Sequence, residues 1–265
     1  MKRYLVLLIC LAFILTTTCI YAQPVGNPAK PAILKKGLLF KGENQEHGIL
    51  IDPEVDLVFD RRLKHQDADT EYRFYGGKAG LVIWDKLFLY GIAGTAEAEQ
   101  KFQNSGRKVT WDTDYGLAWG GGATLIIYEK DIEIREKAKL RIGLDGRYRH
   151  SELDVDNIIV DGVTYSVPSS TLASAGFDYN EWQGALGVSV EFEQFVPYIG
   201  VKYAEPDGHA TATFDTVEYT EEFGADDNIG IFFGSDYVVS DSIAVYVEGR
   251  LIDETALSAG GTIRF

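Results

Sequence analysis

Cysteine is all but missing from this chain: both copies, Cys10 and Cys19, lie within the first twenty residues. The remainder has no disulfide framework, no thiolate nucleophile and no cysteine-based metal site. Long apolar runs are missing too. Beyond residues 4–20 no stretch reaches the roughly 18 apolar residues of a membrane-spanning helix. Positive charge is scarce: 25 Lys+Arg stand against 40 Asp+Glu, a formal charge of -15. Such an acidic chain is a poor partner for nucleic acid. No glycine-rich phosphate-cradling loop and no metal-ligand spacing is present, so no cofactor and no metal is expected.

What is there begins with an export signal. Lys2 and Arg3 form a short basic start, residues 4–20 are almost continuously apolar, and Ile20-Tyr21-Ala22 offers a cleavage site before Gln23. Residues 1–22 are therefore read as a signal peptide. Without Lys2 and Arg3 the cations fall to 23 and the formal charge to -17. Residues 23–49 carry Pro, Gly and Lys without sustained alternation and read as a periplasmic lead-in.

From about residue 50 the chain alternates apolar and polar positions between turn residues, the period of a β-strand. Ten segments are expected: 52–63, 72–84, 86–102, 109–128, 133–152, 178–193, 195–205, 221–239, 243–253 and 255–265. Over-splitting of weak segments would leave eight. In 109–128, Val109, Trp111, Tyr115, Leu117 and Trp119 share one parity. The run is far longer than the five or six residues of an ordinary globular strand. Tight turns near Asp85, Glu129–Asp131, Gln194 and Ser240–Ser242 alternate with longer connections near 64–71, 103–108, 153–177 and 206–220. Gly (28), Tyr (15) and Phe (14) are abundant, which suits a barrel with aromatic girdles. A soluble β domain is the other reading of the same alternation.

Parity also sorts charge. Lys137, Lys139, Arg141, Arg147 and Arg149 share one face of the fifth segment, and Glu181 and Glu191 one face of the sixth. Glu248 and Arg250 do so in the ninth, while Asp56, Asp60, Arg62, Lys78, Glu97, Glu99 and Lys202 are assigned inward on their own segments. In a closed barrel of about ten strands these rows meet in the lumen, which side chains largely fill. The expectation is an ion-pair network that plugs the barrel; the alternative is a narrow charged pore. In His150-Ser151-Glu152, neighbours on a strand point to opposite faces, so His150 and Ser151 do not form a catalytic pair.

The chain ends on a final alternation, with Leu257, Ala259, Gly261, Ile263 and Phe265 on one face. This ending, the export signal and the long cysteine-free strands resemble the small bacterial outer-membrane β-barrel proteins over residues 50–265. The resemblance implies an all-β fold, one closed antiparallel up-and-down transmembrane barrel in the outer membrane. It implies Phe265 as part of the signal read by the barrel-assembly machinery, and contacts with outer-membrane lipid and lipopolysaccharide. The function it implies is structural or surface-interaction, with a small-solute channel as the alternative. Asp112-Thr113-Asp114 and Asp207-Gly208-His209 also resemble the Asp pair and Asp–His pair of the omptins, ten-stranded outer-membrane proteases. That would make Asp112, Asp114, Asp207 and His209 activators of a water for peptide cleavage.

Overall fold

The computed structural model describes residues 23–39, 46–63, 68–104, 107–133, 137–168, 172–214, 217–224 and 227–265. The expected signal peptide lies outside them, as do the side chains of Arg62 and Lys137. One helical turn, α1 (Lys30–Ile33), precedes the strands β1 (His47–Leu63), β2 (Ala68–Ile83), β3 (Leu87–Asn104), β4 (Arg107–Thr113) and β5 (Gly116–Glu133). Then follow β6 (Lys137–Val160), β7 (Val163–Ser166), β8 (Leu172–Glu191), β9 (Phe195–Phe214) and β10 (Val217–Gly224). The chain closes with β11 (Ile229–Ser240), β12 (Ile243–Leu251) and β13 (Thr255–Arg264).

Ten of these strands form a ring. β1, β2, β3, β5, β6, β8, β9, β11, β12 and β13 pair antiparallel in that order, and β13 pairs back to β1. Closure satisfies every ladder without an open edge, the requirement for spanning a bilayer with strands. One end, here the inner end, carries short turns at 84–86, 192–194 and 241–242 together with the start of β1 and Phe265. The outer end is extended: β4 pairs with β3 and β6, β7 with β6, and β10 with β9.

The outward face shows where the bilayer lies. Trp84, Tyr128, Phe195 and Tyr237 ring the inner end; Tyr75, Tyr115, Trp119, Trp182 and Tyr203 ring a level further out. Exposed Leu81, Leu89, Leu125, Leu144, Leu186, Ile199, Val201 and Val245 lie between. From Tyr75 to Trp84 the chain runs roughly 30 Å at about 3.4 Å per residue. With a tilt of about 40° that is a band of about 23 Å, close to the height of an outer-membrane apolar belt. Above it the outward face is charged, with Arg73 to Glu97 at 2.7 Å and Lys101 to Glu71 at 2.6 Å.

Four expectations change. The connections 153–177 and 206–220 are largely strand, because β6, β8 and β9 continue past the bilayer as paired hairpins. Pro206 sits inside β9, its ring buried opposite Glu181. The segment 109–128 breaks at Asp114-Tyr115, after a register shift at Asp112/Thr113. Val109 and Trp111 consequently pack against the interior while Tyr115, Leu117 and Trp119 face out. A shift between Val58 and Asp60 brings Arg61 into the lumen. Glu97 and Glu99 face outward, with Ala96 and Ala98 buried behind them. On the part of a strand that stands above the bilayer, the outside is water, so charge no longer marks the inside.

Candidate functional site in the lumen

Residues 23–38, read from the sequence as a periplasmic lead-in, lie inside the inner half of the barrel for most of their length. This strap enters at the inner mouth. There the backbone N–H groups of Lys35 and Lys36 donate to Asp241 O, and Leu38 N donates to Arg264 O. Arg264 in turn donates to Leu34 O. The strap then runs inward to Gln23, which is 1 % exposed.

Its backbone is gripped by opposite charges. The Glu248 carboxylate accepts from Val25 N at 2.8 Å and Gly26 N at 2.7 Å. Arg147 donates to Pro24 O and, at 2.6 Å, to Val25 O, while staying paired with Asp145 at 2.6 Å. Lys78 reaches Pro24 O at 3.2 Å and pairs with Glu54 at 2.9 Å. Gly26 adopts φ +76°, a left-handed conformation that suits glycine, between these grips. Two side chains complete the seat. Asn27 Nδ2 donates to Asp236 Oδ2 at 2.7 Å and to Val196 O at 3.2 Å. Lys30 Nζ lies 2.6 Å from Asp52 Oδ2 and 4.3 Å above the Tyr246 ring. Pro28 needs space, and glycines in the wall provide it. A Cβ on Gly143 would stand 2.6 Å from Pro28 O, and one on Gly187 would stand 3.0 Å from Pro28 Cγ.

Above the strap the wall fills the lumen with its own side chains. Arg250 pairs with Asp56 at 2.6 Å and with Glu254 at 2.8 Å. Lys202 pairs with Asp253 at 2.6 Å and also with Glu254. Arg61 pairs with Glu181 at 2.5 Å, beside Tyr179. Arg149 stacks over Tyr72 at 4.6 Å and Phe74 at 5.3 Å. All of these groups are almost completely buried. Further out the interior is apolar, built from Ala96, Ala98, Leu153, Val155, Ile158, Ala175, Phe177, Ala210 and Ala212.

Of the charges expected in the lumen, Arg147, Glu181, Glu248 and Arg250 occupy these two layers. Arg141 and Glu191 pair with each other at 2.7 Å near the inner mouth. Lys139 lies at the rim beside Glu129 at 3.3 Å and is about one-third exposed. Phe265 sits at the inner end, its N–H donating to Ile49 O at 2.9 Å. Parity missed Asp52, Glu54 and Asp236, although Asp52, Glu54 and Asp56 alternate along β1. Nothing local in residues 23–34 marks Asn27 or Lys30 as lumen residues.

The omptin-like groups are not brought together. Asp207 and His209 lie on the outer face of β9, where His209 Nε2 meets Asp178 Oδ2 at 2.9 Å. Asp112 and Asp114 are exposed near β4, two ring strands away across β6 and β8. Partial burial and the acids Glu99, Asp156 and Glu97 push the Asp112 carboxyl above its usual range. With both pairs outside the wall, no cleft lets them share one water. His150 and Ser151 also face opposite ways: Ser151 bonds Tyr72 inside, His150 bonds Asn180 and Glu152 outside.

The family model of the Chlamydia major outer membrane protein matches residues 160–219, a span of β7 to β9 and the start of β10. The major outer membrane porins of Chlamydia trachomatis serovars E and D are each 24% identical over 405 aligned positions, covering all of both chains. This chain belongs to the outer-membrane β-barrel proteins. It resides in the outer membrane, so the short-turn end faces the periplasm. The 405 aligned positions exceed its 265 residues, so the relatives contain stretches that this barrel lacks. Among solved structures, the Escherichia coli outer membrane protease OmpT aligns with TM-score 0.44 and 11% identity, over 83% of this chain and 96% of that one.

Proposed function

We propose that this barrel is a sealed structural and surface-interaction protein of the outer membrane. The observation that carries the reading is closure in series: a strap in the inner half, a buried charge layer above it, and an apolar core at the outer end. A barrel of about ten strands has an interior that side chains can fill, and here a backbone segment fills part of it as well. The charged outward face above the Tyr75 level, with Arg73 and Lys101 among carboxylates, is the surface offered to lipopolysaccharide. Phe265 on the periplasmic rim is offered to the assembly machinery.

The second reading, a narrow channel for small solutes, is favoured by the porin names of the relatives. Planar-bilayer recording of the purified protein separates the two. The sealed reading expects no steady conductance from a protein whose gel band shifts on boiling. Steady single-channel steps from the same preparation would replace it with the channel reading.

A further inference from the structure

The wall of the inner lumen carries more acid than it neutralises by itself. Glu54 is paired with Lys78, and Asp145 with Arg147. Asp52 and Asp236 are different. The Asp52 carboxylate meets Lys30 of the strap and the Thr262 hydroxyl at 2.8 Å, Asp236 meets Asn27 of the strap, and no described wall cation pairs with either acid. Both are almost fully buried. A buried carboxylate without a partner costs several kcal/mol, so this wall is complete only when an occupant brings a cation.

Most of the remaining contacts read backbone: Glu248 takes two consecutive N–H groups and Arg147 two consecutive carbonyls, while Gly26 takes a left-handed φ and the Asn27 side chain meets Asp236. Specificity rests on the seat of Lys30: Asp52 at one side and the Tyr246 face at another, with Glu54 and Asp236 adding to its field. An ammonium held by a carboxylate and an aromatic face is a lysine pocket. Gly143 and Gly187 leave a proline-sized gap two residues before it. The mouth of the site opens to the periplasm, where Lys35 and Lys36 are exposed and pair with Glu191 and Asp241.

We propose that the inner lumen is a periplasm-facing binding site for a linear, lysine-bearing peptide, and that residues 23–34 are its intramolecular occupant and competitor. The strap holds the site at the high effective concentration of a tethered ligand, so a peptide supplied from another chain seats when the strap's own lysine contact is weakened. The sealed-barrel reading does not depend on this, since the charge layer and apolar core above the site stay closed whichever peptide fills it.

Beyond residue 22 the sequence has no cysteine, so one thiol introduced there reports the strap without background from the rest of the barrel. In the full chain, Ala29→Cys places a thiol at a fully buried strap position, and Lys30→Gln in the same chain weakens the strap. The probe is a synthetic peptide of residues 23–36. With this peptide, maleimide labelling of position 29 is expected to rise about tenfold, the ratio given by ~1.4 kcal/mol of recovered ion pairing. The same peptide with only the lysine of position 30 replaced by glutamine, and Lys35 and Lys36 kept, is expected to leave labelling unchanged. Equal labelling with both peptides, or no rise with either, would overturn the proposal. Labelling that rises with protein concentration and no peptide would overturn it too, by making a second copy the occupant. If Lys30→Gln abolishes the boiling shift, Asn27→Ala replaces it, weakening the strap at Asp236 and leaving the lysine pocket intact.

Discussion

The inner and outer halves of this lumen are enclosed by the same ten strands but filled in opposite ways. The outer half is filled by the wall itself: each cation there meets acids or aromatic faces from the wall, and the apolar side chains above them close the end. The inner half is filled by a separate segment of backbone whose contacts lie up to 230 residues away in sequence. Wall side chains cannot leave without unfolding the barrel. No ladder hydrogen bond of the ring passes through the strap, so its release would break none of them. Permanence and exchangeability are thus divided along the axis of one fold.

The sharpest way to break this contrast is to remove a cation from the outer layer. Arg250→Ala takes the paired cation from Asp56, while Glu254 keeps Lys202, and one lost partner of a buried pair costs about 3–5 kcal/mol. The boiling-shift midpoint is expected to fall steeply; an unchanged midpoint would mean the outer layer is not an integral part of the wall.

Asp253, in the outer turn between β12 and β13, sharpens the same side. Burial and the adjacent Glu254 push its carboxyl up to about 6, against the pull of Lys202. A raised acid binds more protons folded than unfolded, so its contribution to stability is highest at low pH. That contribution falls as pH rises from about 4 to about 6. Across that window the wild type is expected to lose up to about 3 kcal/mol relative to Asp253→Asn. Parallel urea midpoints for the two proteins across this range would refute the assignment.

On the inner side, Gly143→Leu fills the space that Pro28 occupies. Overpacking of this kind costs about 1–3 kcal/mol. Here the strap yields first: thiol labelling at position 29 is expected to rise while the boiling shift persists. Loss of the shift would show that the inner half is as integral as the outer. The smallest effect is expected on the outside. Arg73→Ala breaks an exposed pair with Glu97, worth under about 1 kcal/mol, and the midpoint should barely move.

Much of this architecture is legible in the sequence because alternation is a local property. It predicts about ten strands, with eight left open, inner turns near Asp85 and Gln194, and the inward placement of Lys78, Lys202, Glu248 and Arg250, which follows from parity within each strand. Parity fails where something non-local intervenes. The bulge near Val58 brings Arg61, which parity does not assign inward, into the lumen, and the break at Asp114-Tyr115 reverses the face of Trp111 relative to Trp119. Parity places Glu97 and Glu99 inward only if charge avoids the outside of a barrel along the whole strand. That assumption ends where β3 rises above the lipid.

The strap marks the limit. Residues 23–34 have no period, so nothing in their local pattern assigns them a face, and the composition that reads as a linker also suits an extended chain in a narrow lumen. Their destination is fixed by Asp52, Asp236 and Glu248, which come together only when β13 closes on β1. By itself the sequence determined that strands would alternate and, within an unbroken strand, which residues would share a face, because a two-residue period needs only neighbours; between eight and ten ring strands it did not choose. The tertiary structure alone decided what fills the barrel, because the cost of buried, uncompensated charge is settled among residues that only closure makes neighbours.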